Sequence, residues 1–170
     1  MSKRTRQIVG IFAAIVAYYI IHEGAHLLYA LCIGAFRQIR FMGLGVQIDV
    51  YAGRMTDTQL DIFCLVGVFA TLCAAYLLTI FAKQICKAKS KLLRAVIYYI
   101  TIAFLLLDPL YLSILCGFFG GGDMNGISLL FPEWAARVIF GLLFLVNGFV
   151  FLKYLLPTYK KSFAERSANM

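Results

Sequence analysis

Apolar residues fall into four long runs, residues 8–35, 60–81, 92–119 and 134–156. Each reaches the length of about 20 residues that a helix needs to cross a hydrocarbon layer. The pattern predicts an all-α integral membrane fold with about four transmembrane helices. Between the first two runs the period changes. Ile39, Phe41, Leu44, Val46, Ile48, Val50 and Tyr51 roughly alternate with smaller or polar residues, and Gly43, Gly45 and Gly53 punctuate the segment. A period of two interrupted by glycines predicts one or two short strands, with a plain interfacial connector as the alternative. Residues 157–170 are polar and read as a frayed tail. There is no internal repeat, so residues 1–170 read as a single polytopic domain.

Composition sharpens this picture. Of 170 residues, 62% are hydrophobic and 14% are charged, against about 25% charged in a soluble domain. That excludes a purely secreted or cytosolic protein, and it excludes intrinsic disorder. The net charge of +8 gathers in Lys3, Arg4 and Arg6, in Lys83, Lys87, Lys89, Lys91 and Arg94, and in Lys153, Lys160, Lys161 and Arg166. Each cluster flanks an apolar run, as the cytoplasmic loops of membrane proteins do. The chain therefore reads as a multi-pass protein of the cell membrane with both termini cytoplasmic, and Lys87 to Arg94 as a solvated loop. Nucleic acid, which needs such charge on one folded face, is not an expected partner. The apolar run after Arg6 exceeds the core of about 7–15 residues in a signal peptide, so the first helix is read as retained. Cys32, Cys64, Cys73, Cys86 and Cys116 occur singly and read as packing residues.

The segment with chemistry is His22-Glu23-Gly24-Ala25-His26, inside the first run. Histidines four residues apart on a helix share a face, so both imidazoles can reach one metal ion. Glu23 is offset by about 100°, beside the metal's open position, where its carboxylate can take a proton from water. This is the HExxH zinc-hydrolase arrangement of two ligands and a general base. The two histidines are the only ones in the chain. Ionisable groups at mid-membrane cost about 2.5–3.5 kcal/mol on insertion scales, which marks them as functional. The spacers Gly24 and Ala25 are small, so another backbone can come close. The bland alternative is a structural His/Glu cluster between helices.

A catalytic zinc takes three protein ligands and a water. With no third histidine, the third ligand must be a carboxylate or a thiolate. Among the other acids, Asp49, Asp57 and Asp61 lie in or beside the connector, Glu133 opens the fourth run and Glu165 lies in the tail. Only Asp108 and Asp123 belong to embedded sequence. His22 is 14 residues past Ile8 and Asp108 is 14 past Arg94, which gives similar depths on straight helices. Asp123 lies 15 residues further on. Pro109, Gly117 and Gly120-Gly121-Gly122 should break that helix, and irregular backbone is tolerated where it lines a cavity. Depth slightly favours Asp108 and leaves Asp123 open.

HEGAH in an apolar helix, followed about one hundred residues later by Gly-Gly-Asp-Met-Asn-Gly, resembles the site-2 protease family of intramembrane zinc metalloproteases. The resemblance covers roughly residues 10–130 and implies a three-helix core. It implies hydrolysis of peptide bonds in or near transmembrane segments of other membrane proteins. It further implies one Zn2+ per chain held by His22, His26 and Asp123, with Glu23 as catalytic general base. Asp108-Pro109 is similar to the Asn-Pro-type segment upstream of that family's Asp ligand. Gly67 and Thr71 stand where many members have a Gly-Pro…Asn element, with Val68 and Thr71 replacing the Pro and the Asn. Residues 43–50 resemble a membrane-associated β-hairpin whose edge pairs with extended substrate. The implied partners are a transmembrane protein substrate and the lipid bilayer, with a regulatory membrane partner or a second copy of the chain as further candidates. Glu133 and Glu165 are poorly placed for the later Glu ligand of prenyl-protein-type HExxH proteases, and two histidines are too few for a histidine-box oxygenase. The fourth run receives no role.

The rival reading is a non-enzymatic membrane scaffold or metal-binding protein that uses the His/Glu cluster structurally. Tyr18, Tyr19, Tyr98, Tyr99, Tyr111, Trp134 and Tyr154 read as packing or interfacial residues. Asn147 reads as glue between helices. Asn125 reads either as glue or as a group that holds a substrate carbonyl or orients Asp123.

Overall fold

The computed structural model describes residues 1–43, 45–119 and 122–165; Leu44, Gly120, Gly121 and residues 166–170, Arg166 among them, lie outside the described residues. The chain runs α1 (Lys3–Cys32), β1 (Phe36–Met42), β2 (Gly45–Val50), α2 (Asp57–Ile80), a short α3 (Ala82–Ile85) and α4 (Lys91–Leu110). It continues through α5 (Cys116–Phe119), α6 (Asp123–Ile127), α7 (Glu133–Val150) and α8 (Leu156–Glu165). Among the described residues, four helical stretches are long and apolar enough to cross a membrane: Lys3–Cys32, Asp57–Ile80, Lys91–Phe118 and Glu133–Ala164. Their outward faces expose large apolar side chains, among them Phe12, Ile20, Phe69, Leu77, Leu142 and Phe149.

Each of the first three long helices begins at a hydroxyl cap. Ser2, Thr56 and Ser90 accept from the backbone N–H of Thr5, Gln59 and Leu93, which satisfies donors the helix cannot use itself. At Thr56 the Gln59 side chain answers on the N-cap amide, closing a capping box. The alternating connector forms an antiparallel hairpin, with Ile39 opposite Ile48 and Phe41 opposite Val46. Helices α1, α2 and α4 pack on one another; β2 lies against α1, α6 against α2, and α7 against α4. One apolar core, around Phe63, Val68, Leu112, Met124 and Phe140, joins α2, α6 and α7. A second, around Phe104, Leu105, Leu155 and Tyr159, holds the end where the basic residues gather.

Pro109 lies inside α4. Lacking an N–H, it leaves the carbonyl four residues back, that of Leu105, without its helical partner. Asn147 of α7 replaces that partner: its Nδ2 donates to the Leu105 carbonyl at 2.7 Å, and Tyr76 OH of α2 donates to Asn147 Oδ1 at 2.6 Å. The fourth long helix therefore repairs the backbone hydrogen bonding where α4 is interrupted. Past Pro109 the chain widens into a π-helical turn, Tyr111–Leu115.

Two expectations need correction. Residues after Pro157 are not a frayed tail as far as Glu165, because they continue the helix as α8. A π-helical turn, Phe151–Leu155, precedes Pro157 and contains Lys153, whose carbonyl the proline ring would meet in a regular helix. Arg94 is not in a solvated loop. It is 0% exposed, because α8 folds back over α4. Its guanidinium donates to the Ser162 carbonyl at 2.7 Å and also to the Ser162 hydroxyl.

Candidate metal centre

His22 and His26 are buried side by side on α1, their rings edge to face with centroids 4.8 Å apart. Helix α2 passes directly against them at Gly67. A Cβ at that position would stand 2.5 Å from His26 Nε2 and 2.9 Å from His22 Nε2. Only a residue without a side chain leaves that space open. The third approach is from Gly122, whose φ of 47° lies in the left-handed region that glycine adopts freely. It turns the chain so that Asp123, the first residue of α6, faces both histidines.

Three donor atoms then meet. His22 Nε2 lies 3.1 Å from His26 Nε2 and 3.2 Å from Asp123 Oδ2, and His26 Nε2 lies 3.6 Å from Asp123 Oδ1. Ligand bonds of about 2.0–2.1 Å in a tetrahedron about zinc put ligand atoms about 3.3–3.4 Å apart. The spacing fits. The ring protons fit as well. His26 Nδ1 donates to the Phe63 carbonyl at 2.6 Å, and His22 Nδ1 lies 3.3 Å from Asp108 Oδ1. The Phe63 carbonyl can only accept, so it holds the His26 proton at Nδ1 and leaves that Nε2 lone pair turned toward Asp123, whereas the Asp108 carboxylate stands behind His22 Nδ1 without a hydrogen bond to it. Two imidazole lone pairs and a carboxylate at contact distance repel one another unless a cation, a metal or a proton, lies between them. Among the described residues, His22, His26 and Asp123 form the group that could hold a metal ion.

Asp108, 1% exposed, occupies the far side of His22. Tyr18 OH and Thr71 OH both donate to its carboxylate. The Tyr18 ring also stacks on His22, with centroids 5.1 Å apart and planes 20° from parallel. The two embedded acids thus approach His22 from opposite sides, Asp123 at the shared point and Asp108 behind it. Glu23 lines the same cavity of about 480 Å3, together with Tyr19, Tyr111 and residues 45–48 of β2. Its Oε2 accepts from the Ile48 N–H at 3.1 Å.

The remaining acids and thiols lie elsewhere. Asp49 pairs with Arg40, Glu133 pairs with Arg137, and Cys64 and Cys116 are buried in the apolar core. Asn125 is exposed on α6. Sequence reasoning missed the anchors of the site: Tyr18, the Phe63 carbonyl, the Ile48 amide, and Thr71 as a donor to Asp108. For Tyr18 a signal existed, since it stands one helical turn before His22 on the same face. Comparison with protein-family models, with curated proteins and with solved structures finds no match to this chain.

Proposed function

We propose that this chain is an intramembrane zinc metalloprotease of the site-2 type, which hydrolyses peptide bonds in or near transmembrane segments of other proteins. The observation that carries the reading is the triangle of His22, His26 and Asp123, its lone pairs converging in the cavity that Glu23 also lines. These three residues would hold the ion. A zinc ion bound there supplies Lewis-acid polarisation of a carbonyl and makes water nucleophilic at neutral pH.

The chain's own groups account for the rest. Glu23 takes the proton from the attacking water and passes it to the leaving amine. The Ile48 N–H holds the Glu23 carboxylate at the cavity wall. Asp108 sets its negative charge 3.3 Å behind His22 Nδ1, and the hydroxyls of Tyr18 and Thr71 hold Asp108 in place. Among the described residues two strands make up the sheet, so one edge of β2 has no strand partner. An extended substrate adds as a strand beside Val46, where β2 lines the cavity. The exposed apolar faces of the four long helices call for lipid as their surroundings, while the cavity among the first three of them and β2, lined by His22, Glu23, His26, Asp108 and Asp123, gives water a place to act.

The test is zinc per chain in detergent-purified protein, followed by cleavage of transmembrane peptides in liposomes. About one zinc is expected in the wild type, lost in His26→Ala and Asp123→Asn and retained in Glu23→Gln. Glu23→Gln should lose cleavage. The rival, a non-enzymatic scaffold in which a shared proton links the same side chains, predicts no zinc and a silent Glu23→Gln. Well-folded wild type that takes up no zinc when it is supplied would sink the protease reading.

A further inference from the structure

The opposite end of the bundle holds a second cavity, of about 440 Å3, between the first turns of α1 and α4 and the end of α8. Lys3 and Arg6 line it from α1, Lys91 from α4 and Lys160 from α8, with Tyr98 and Tyr99 among the other lining residues. Among the described residues, no lining residue is acidic. Among the described residues, none of the four cations pairs with a carboxylate. Arg6 Nη1 donates to the Met1 carbonyl at 2.8 Å, which partly orders its guanidinium. Two helices also begin here, so the positive ends of two backbone dipoles point the same way.

The third wall is built firmly. Buried Arg94 ties α8 to α4 through Ser162, and Tyr159 is buried beneath it. Gathering four like charges at one mouth is self-repelling unless an anion occupies it. The next exposed side chains on these helices, Ile8 and Phe12 of α1 and Leu93 of α4, are apolar. Charge at the mouth and apolar surface beside it match a ligand with a phosphate head and hydrocarbon chains.

We propose that this cavity binds the phosphate group of an anionic membrane lipid. The proposal rests on the membrane-spanning reading and not on the zinc chemistry, and its test reads lipid retention, so either can fail without the other.

The experiment is native mass spectrometry of the full chain in detergent, titrated with phosphatidylglycerol or with phosphatidylcholine. Wild type should retain phosphatidylglycerol in preference to phosphatidylcholine. The triple variant Arg6→Gln, Lys91→Gln, Lys160→Gln should weaken that retention about a hundredfold, at about fivefold for each basic residue near an anionic lipid. The charge-matched variant Lys83→Gln, Lys89→Gln, Lys153→Gln, all outside the cavity, should leave it nearly unchanged. If the triple variant does not fold, each single variant should still weaken retention about fivefold. Equal retention of the two lipids, or an equal loss in both triple variants, overturns the proposal. Displacement of the lipid by millimolar inorganic phosphate overturns the lipid source and assigns the cavity to a soluble anion.

Discussion

Gly67→Ala is the sharpest probe of the proposed metal centre, because two effects of the same methyl group oppose each other. In the interior of a helix, replacing glycine by alanine stabilises by about 0.8–1.0 kcal/mol when nothing stands in the way. At Gly67 something does. The new Cβ would lie 2.5 Å from His26 Nε2 and 2.9 Å from His22 Nε2, against the 3.4 Å at which ordinary contact begins. Relief needs a shift of about 0.9 Å at one ligand and about 0.5 Å at the other, whereas metal-ligand distances tolerate about 0.2 Å. Loss of an outer-shell partner alone costs about 10–100-fold in metal affinity. Displacing two ligands should therefore cost at least about a hundredfold, or about 2.8 kcal/mol. The assay is competition between the protein and a chelator for zinc, with thermal unfolding followed in the same detergent. Gly24→Ala is the internal control, since a Cβ at Gly24 meets nothing within 4 Å. It should keep zinc. If Gly67→Ala binds zinc as tightly as wild type and gains stability as Gly24→Ala does, the close approach of α2 to the histidines is wrong, and the site geometry with it.

Other predictions follow from neighbouring contacts. Asp108→Asn should lower zinc affinity by about 10–100-fold without removing a ligand, because it weakens the group behind His22 Nδ1; chelator competition measures it. Glu23→Gln should retain zinc yet lose about 10²–10⁴-fold in cleavage rate, measured on a transmembrane peptide in liposomes. Asn147→Leu should destabilise the fold by about 1–3 kcal/mol, because the Leu105 carbonyl loses the donor that Pro109 cannot supply; thermal unfolding in detergent reads it. Arg94→Met should loosen α8, seen as faster amide hydrogen exchange around Tyr159 and Ser162 while the zinc content stays unchanged.

The spans, the hairpin and the HExxH triad were legible because each depends on neighbours along the chain. A run of about 20 apolar residues determines a helix that can span, a period of two determines strands, and histidines at i and i+4 must share a face whatever surrounds them. That Asn147 joins helices was legible too, since a buried amide is costly to leave unpaired. Which groups the buried polar side chains meet was not. Straight-helix depth put Asp108 level with His22, and the structure brings both Asp108 and Asp123 to that imidazole. Their different stations depend on the turn at Gly122 and on the tight approach of α2 at Gly67. Arg94 reads as a loop cation until α8, 68 residues later, returns to cover it. Asn147 meets the carbonyl that Pro109 leaves open only because α7 packs on α4. Local pattern determined which residues had to be buried or aligned, and the approach of distant segments decided what each of them touches.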